Sequence, residues 1–263
     1  PHSQVLGIDP QAGLILLQDL GDQSLENLIQ NSDPSLKLFF YRQAIDLMIQ
    51  LQKKGENHPD PTCYAFKRSF DHKLLLWELE HFLEYGIEDR LQIEVSKEER
   101  KNYLEASQQL VSEILKIPQS LTHRDFQSRN LMLHGYEFYL IDFQDALMGP
   151  YVYDLVALLR DSYINFSPSQ VEILGLYYLI TRQKEAMFMP EENNFWRHFH
   201  LVSLQRKLKD TGRFQYIHTV KKNSDFLKHV PQSLNYVAES LKHLPEYGSI
   251  KQLLTTYLPE FKA

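Results

Sequence analysis

The chain has 263 residues, 43% of them hydrophobic and 12% aromatic, the composition of a folded globular protein and not of a disordered or fibrous one. Its 28 basic and 34 acidic residues leave a formal charge of −6, the wrong balance for a nucleic-acid binder, and a single cysteine, Cys63, excludes an internal disulfide or a multi-cysteine metal centre. No apolar run reaches the length of a membrane span and no basic-then-apolar leader opens the chain, so a cytoplasmic protein with no membrane partner is expected.

Residues 4–8 and 13–20 read as two short strands, rich in leucine and isoleucine and separated by a turn at Asp9-Pro10. A lone two-stranded hairpin is marginal in water, so this pair is expected to complete a sheet whose other strands come before it. Ser24 is placed to cap a helix over 25–30. Asp33-Pro34 then opens a long amphipathic helix carrying Leu38, Tyr41, Ile45, Met48 and Leu51 near 3.6 spacing and closed by Gly55. After a proline loop over 58–61, a helix over 70–85 is expected to stop at Gly86. Ser96 and Glu99 have capping-box spacing for a helix running to 116.

Residues 118–149 break this rhythm. Two short apolar runs, 131–133 and 138–141, flank a His134-Gly135 turn. From 150 onward the period is helical again, over 150–162, 168–187, 190–210, 213–229, 231–243 and 248–257, with Pro, Gly or Asn between segments. The aromatic residues Tyr151, Tyr153, Tyr163, Phe166, Tyr177 and Tyr178 read mainly as core. The fold class expected is mainly α with a small β component.

The β insertion carries the chemistry. His123-Arg124-Asp125 and Asn130 fit H-R-D-x-x-x-x-N, and Asp142 follows Asn130 by twelve residues, flanked by Ile141 and Phe143. This pattern suits phosphoryl transfer: Asp125 accepts a hydroxyl proton, while Asn130 and Asp142 hold Mg²⁺ on the triphosphate of ATP. His123 reads as a structural hydrogen-bonder. No two glycines have the spacing of G-x-G-x-x-G or of a G-x-x-x-x-G-K phosphate loop, so any glycine-rich cradle lies outside this sequence. Seven Lys or Arg against one acid occupy residues 196–222, and Arg206 continues the apolar stripe of Phe195, Phe199 and Val202. If that region lines the acceptor cleft, it disfavours polycationic substrates.

These residues resemble the protein-kinase-like superfamily, in its aminoglycoside phosphotransferase and choline kinase branch. The resemblance implies a kinase C-lobe over 21–263, with a catalytic core near 118–165 and a helical substrate-side part near 166–263, preceded by a remnant N-lobe hairpin and hinge over 1–20. Backbone groups near Asp19 and Leu20 would then meet adenine. Asp154, in a stretch fitting G-x-x-x-x-D-L, would brace the catalytic loop. Gln144 stands where D-F-G motifs have glycine, Arg124 where the aminoglycoside enzymes usually have it, and only eight residues separate Asp142 from Pro150, too few for an activation segment. The strings HRDFQSRNLM, IDFQDALMGPYVYDLVALLRD and SLQRKLKDTGRF look most like the anomeric kinases of N-acetylmuramate and N-acetylglucosamine. What this implies is a small-molecule sugar acceptor, with Arg129, Asp145 and Arg206 as contacts to phosphate or acceptor. An aminoglycoside or choline-type kinase, and a non-catalytic module lacking the ATP-cradling lobe, are the alternatives.

Overall fold

A computed structural model describes every residue except Asn31, Asn57, Pro59, Pro61 and Ala263, so two prolines of the expected 58–61 loop lie outside the described residues. The chain is 62% helix and 11% strand, as its helical periodicity led us to expect. It divides into two compact units, residues 1–68 with 120–189 and residues 69–119 with 190–263. Residues 69–119 thus share a unit with the C-terminal helices.

The first unit opens with an antiparallel hairpin of β1 (Val5–Asp9) and β2 (Leu14–Leu17). Every large apolar side chain of this hairpin is exposed, from 47% at Leu17 to 64% at Ile8 and Leu14. Helix α1 (Leu25–Ile29) follows, its N-terminus closed by Ser24 accepting from the Asn27 N–H. Helix α2 (Pro34–Glu56) buries Tyr41, Ala44, Ile45 and Met48 on one face. It runs one residue past Gly55, where a Cβ would fall 2.6 Å from the Leu121 Cβ.

Strands β4 (Leu131–His134) and β5 (Glu137–Leu140) pair with His134 opposite Glu137, so the turn is Gly135-Tyr136. Gly135 holds φ +65°, which a two-residue hairpin turn demands and glycine supplies without strain. Two further strands, β3 (Gln119–Thr122) and β6 (Leu147–Pro150), pair across this insertion and frame it. Helix α5 (Tyr153–Leu159) is buried at every position, and α6 (Pro168–Lys184) packs on α2 behind a complete Ser167/Gln170 capping box. Between them, Gln52 donates to the Tyr151 carbonyl and accepts from Tyr178 and Arg182. Tyr151, Tyr153, Phe166 and Tyr178 are core residues, as their pattern indicated, whereas Tyr163 and Tyr177 keep part of their surface.

The second unit is helical. Helix α3 (His72–His81) continues into a π-helical stretch, Phe82–Asp89, so Gly86 does not stop it. A Cβ at Gly86 would meet the Phe82 ring at 2.5 Å; the glycine makes room for that ring. Helix α4 (Lys97–Leu115) starts at Ser96, which accepts from Glu99 N–H. Helix α7 (Glu192–Lys221) is one 30-residue helix, not the two segments expected around Gly212. There a Cβ would sit 2.7 Å from the Phe82 Cα and 3.0 Å from the His81 carbonyl oxygen, so this glycine serves close backbone approach between helices and breaks nothing. Helices α8 (Val230–His243) and α9 (Gly248–Tyr257) complete the unit.

Candidate active site

All three residues assigned to proton acceptance and metal binding stand in the first unit, on the loops around β4 and β5. The 3₁₀ turn Ser128–Asn130 leads from Asp125 into β4, and Asp142 leaves β5 two residues past Leu140. The hairpin therefore returns the chain beside its starting point: Ile141 N–H donates to the Asn130 carbonyl, and the His123 ring Nε2 lies 2.9 Å from the Ile141 carbonyl oxygen. His123, 1% exposed, thus ties the two loops together as a structural group.

Asn130 is nearly buried, and its side-chain amide donates to the Asp125 carbonyl at 2.9 Å. That bond orients Oδ1 as the end left to accept. The Asp142 carboxylate is exposed and takes one hydrogen bond, from Gln144 at 2.6 Å. A neutral oxygen and a carboxylate are the hard donors that a magnesium ion uses together with phosphate oxygens and water. No group of three or more His, Cys, Asp or Glu suited to a metal occurs among the described residues. These donors fit a cation that arrives with its nucleotide better than one held by protein ligands alone.

Asp154, fully buried at the start of α5, accepts the backbone N–H groups of His123 at 2.7 Å and Arg124 at 3.0 Å. Charge-assisted bonds of this kind are among the stronger ones. They hold Arg124 at φ +73°, a left-handed conformation that glycine adopts freely. Asp142 is left-handed as well, at φ +66°. Asp161, also fully buried, accepts from both the N–H (2.9 Å) and the hydroxyl (2.6 Å) of Ser128, fixing the far end of the loop.

The remaining expected contacts fall in different places. Asp145 faces two arginines, Arg68 at 3.5 Å and Arg124 at 3.8 Å, and so links the Asp142 loop to the catalytic loop. Arg129 lies with its guanidinium carbon 3.6 Å from the Tyr163 ring centre. Asp19 accepts from the Gly21 N–H, which shapes the turn after β2, and Leu20 beside it is buried. Arg206 belongs to the second unit. There it is 1% exposed, and the 196–222 stretch is not a free basic surface: Arg197 pairs with Glu113 and Glu246, and Lys207 and Lys209 pair with Asp210. Burial alone would raise the Asp210 carboxyl, but Lys207, Lys209 and Arg206 together hold it well below the ordinary range.

Gln144, Arg68 and Asp161 went unassigned by sequence reasoning, and Tyr163 was read as core. Gln144 was visible as the departure from D-F-G. The others lie about 30 to 80 residues from their partners, with no local pattern to mark them.

The model of the phosphotransferase enzyme family matches residues 40–188, more than half of the chain. An N-acetylmuramate/N-acetylglucosamine kinase of Neisseria meningitidis serogroup B is 30% identical over 253 residues, covering 95% of this chain and 74% of that protein. Among solved structures, a choline/ethanolamine kinase family protein from Mesorhizobium loti superposes with TM-score 0.61 at 15% identity, over 94% of this chain and 75% of that one. An amicoumacin kinase solved with AMP-PNP and Ca²⁺ gives 0.57 at 12% identity, over 91% and 68%. The likeness to these two structures is one of fold.

Proposed function

This chain belongs to the phosphotransferase enzyme family, and from that premise we propose that it transfers the γ-phosphate of ATP to the anomeric hydroxyl of an N-acetylated amino sugar, N-acetylmuramate or N-acetylglucosamine. The observation that carries the proposal is the pair of loops bearing Asp125, Asn130 and Asp142, tied together by the Asn130 amide on the Asp125 carbonyl, the Ile141 N–H on the Asn130 carbonyl and the His123 ring on the Ile141 carbonyl.

In the proposed reaction the sugar hydroxyl oxygen forms a bond to the γ-phosphorus while the bond from that phosphorus to the β–γ bridging oxygen breaks, releasing ADP. The hydroxyl proton passes to the Asp125 carboxylate, which also orients the attacking oxygen. Asn130 and Asp142 would hold the divalent cation, which when bound neutralises charge on the phosphates. Asp154 keeps the backbone of His123 and Arg124 in place, and Gln144 keeps the Asp142 carboxylate aimed. Asp19 and Leu20 are proposed to meet the adenine through backbone groups. The bare apolar faces of β1 and β2 support a further set of strands covering them and completing the nucleotide cradle.

The test is product analysis with the whole protein, ATP, Mg²⁺ and each sugar. Formation of a sugar 1-phosphate, abolished in Asp125→Asn while nucleotide binding persists, supports the proposal. Turnover of an aminoglycoside or of choline instead assigns a different acceptor, and nucleotide binding with no transfer to any hydroxyl assigns a non-catalytic role.

A further inference from the structure

The loop that carries Asp125 also carries a cation that no acid among the described residues answers. In the 3₁₀ turn Ser128–Asn130, Ser128 and Asn130 are buried and Arg129 between them keeps part of its surface. Among the described residues Arg129 makes no ion pair, and its buried Nε has no hydrogen-bond partner. What fixes the side chain is an aromatic face: the Tyr163 ring centre lies 3.6 Å from the guanidinium carbon, an attractive cation–π geometry.

Ring and turn are set by the same carboxylate. Buried Asp161 accepts from the Ser128 N–H and hydroxyl through one oxygen and from the Tyr163 N–H (3.1 Å) through the other. One residue thus holds both the turn that presents Arg129 and the backbone of the ring on which it rests. A flexible arginine so restrained loses little further side-chain entropy when it binds an anion, and its planar fork suits a carboxylate.

Resting on the acceptor reading above, we infer that Arg129 is the specificity residue for an acidic acceptor, pairing with the lactyl carboxylate of N-acetylmuramate, with Tyr163 and Asp161 as its positioning residues. The position follows from the chain. Arg129 is four residues after the proposed base and one before a proposed metal ligand, so it belongs to the loop at which acceptor and phosphate meet. N-acetylglucosamine lacks the carboxylate and serves as the built-in control.

The experiment compares KM and kcat for both sugars and for ATP in the whole protein and in Arg129→Leu, Tyr163→Leu and Tyr163→Phe. Arg129→Leu is expected to raise KM for N-acetylmuramate about 10- to 100-fold, the range for a lost hydrogen bond to a charged group, with the N-acetylglucosamine and ATP values nearly unchanged. Tyr163→Leu should move the same constant in the same direction by less, and Tyr163→Phe, which keeps the ring face, should restore it. Equal losses for both sugars, a raised KM for ATP, or no change at all would overturn the inference, leaving Arg129 to the transferred phosphate or to packing. If the wild-type protein phosphorylates both sugars, any such result counts against Arg129 alone. Turnover of neither sugar overturns the acceptor reading and this inference with it.

Discussion

Arg124 and Asp142 both hold left-handed backbone conformations, and such conformations cost on the order of 1–3 kcal/mol each unless the surroundings enforce them. At Arg124 the enforcing group is a side chain from elsewhere, Asp154 on the N–H groups of His123 and Arg124, while Gln144 two residues on holds the Asp142 carboxylate. Asp154→Ala would leave two backbone donors without their acceptor and should lower unfolding free energy by about 2–4 kcal/mol. A urea midpoint unchanged in that variant would show that the loop holds its shape without the carboxylate. Asp125→Asn should behave in the opposite way, keeping the midpoint and nucleotide affinity while turnover falls by several orders of magnitude. Asp142→Asn should weaken binding of the nucleotide with Mg²⁺; an unchanged affinity would remove Asp142 from the cation site. The H-R-D…N spacing and the returning Asp142 were legible because an eight-residue motif and a hairpin turn are local. The Asp154 clamp was legible only through the resemblance carried by G-x-x-x-x-D-L, and the Asp161 clamp was not legible, since it reaches back about 30 residues to Ser128 and no local pattern encodes that contact.

Two glycines lie where the sequence reads as an element boundary, and each instead sits inside an element and acts by omission of a Cβ. At Gly212 the sequence reads as a helix break, because glycine in a helix interior is unfavourable in isolation. Tertiary packing overrides that preference: the Phe82 backbone occupies the space a side chain would need. Gly86 reads as a stop for the same local reason and instead admits the Phe82 ring inside a π-helical stretch. Helices α1, α2 and α4 were legible from Ser24, Pro34 and Ser96 because capping chemistry lies within four residues of the helix start. Strands β3 and β6 pair across the insertion and carry no turn between them, so sequence alone did not mark them. Gly212→Ala should therefore destabilise the protein by about 1–3 kcal/mol through overpacking. Gly248→Ala, at the open start of α9 with nothing within 4 Å of a new Cβ, should be neutral or stabilising by up to about 1 kcal/mol. Equal thermal shifts in the two variants would contradict the packing role of Gly212.

Across the whole molecule, a net charge of −6 coexists with charges buried inside the helical second unit, and these set the response to acid. Burial pushes the His81 and His198 imidazoles below their ordinary value, so the unfolded chain binds their protons first as pH falls through ~6.5. Asp210, held low by its lysines, contributes stability that is present above the ordinary aspartate range and lost below it. Stability should therefore decline gently between about pH 7 and 5 and steeply below about 4. Replacing His81 with Phe should flatten the gentle phase of the midpoint-versus-pH curve; an unaltered slope would deny His81 a part in it. The proposed function places catalysis on the first unit's two loops, and its most direct test is phosphorus NMR of the whole protein incubated with ATP, Mg²⁺ and N-acetylglucosamine. The account predicts a new phosphomonoester resonance coupled to the sugar's anomeric proton, absent in Asp125→Asn. A phosphomonoester coupled to any other sugar proton, or ATP consumed with only inorganic phosphate released, would contradict it.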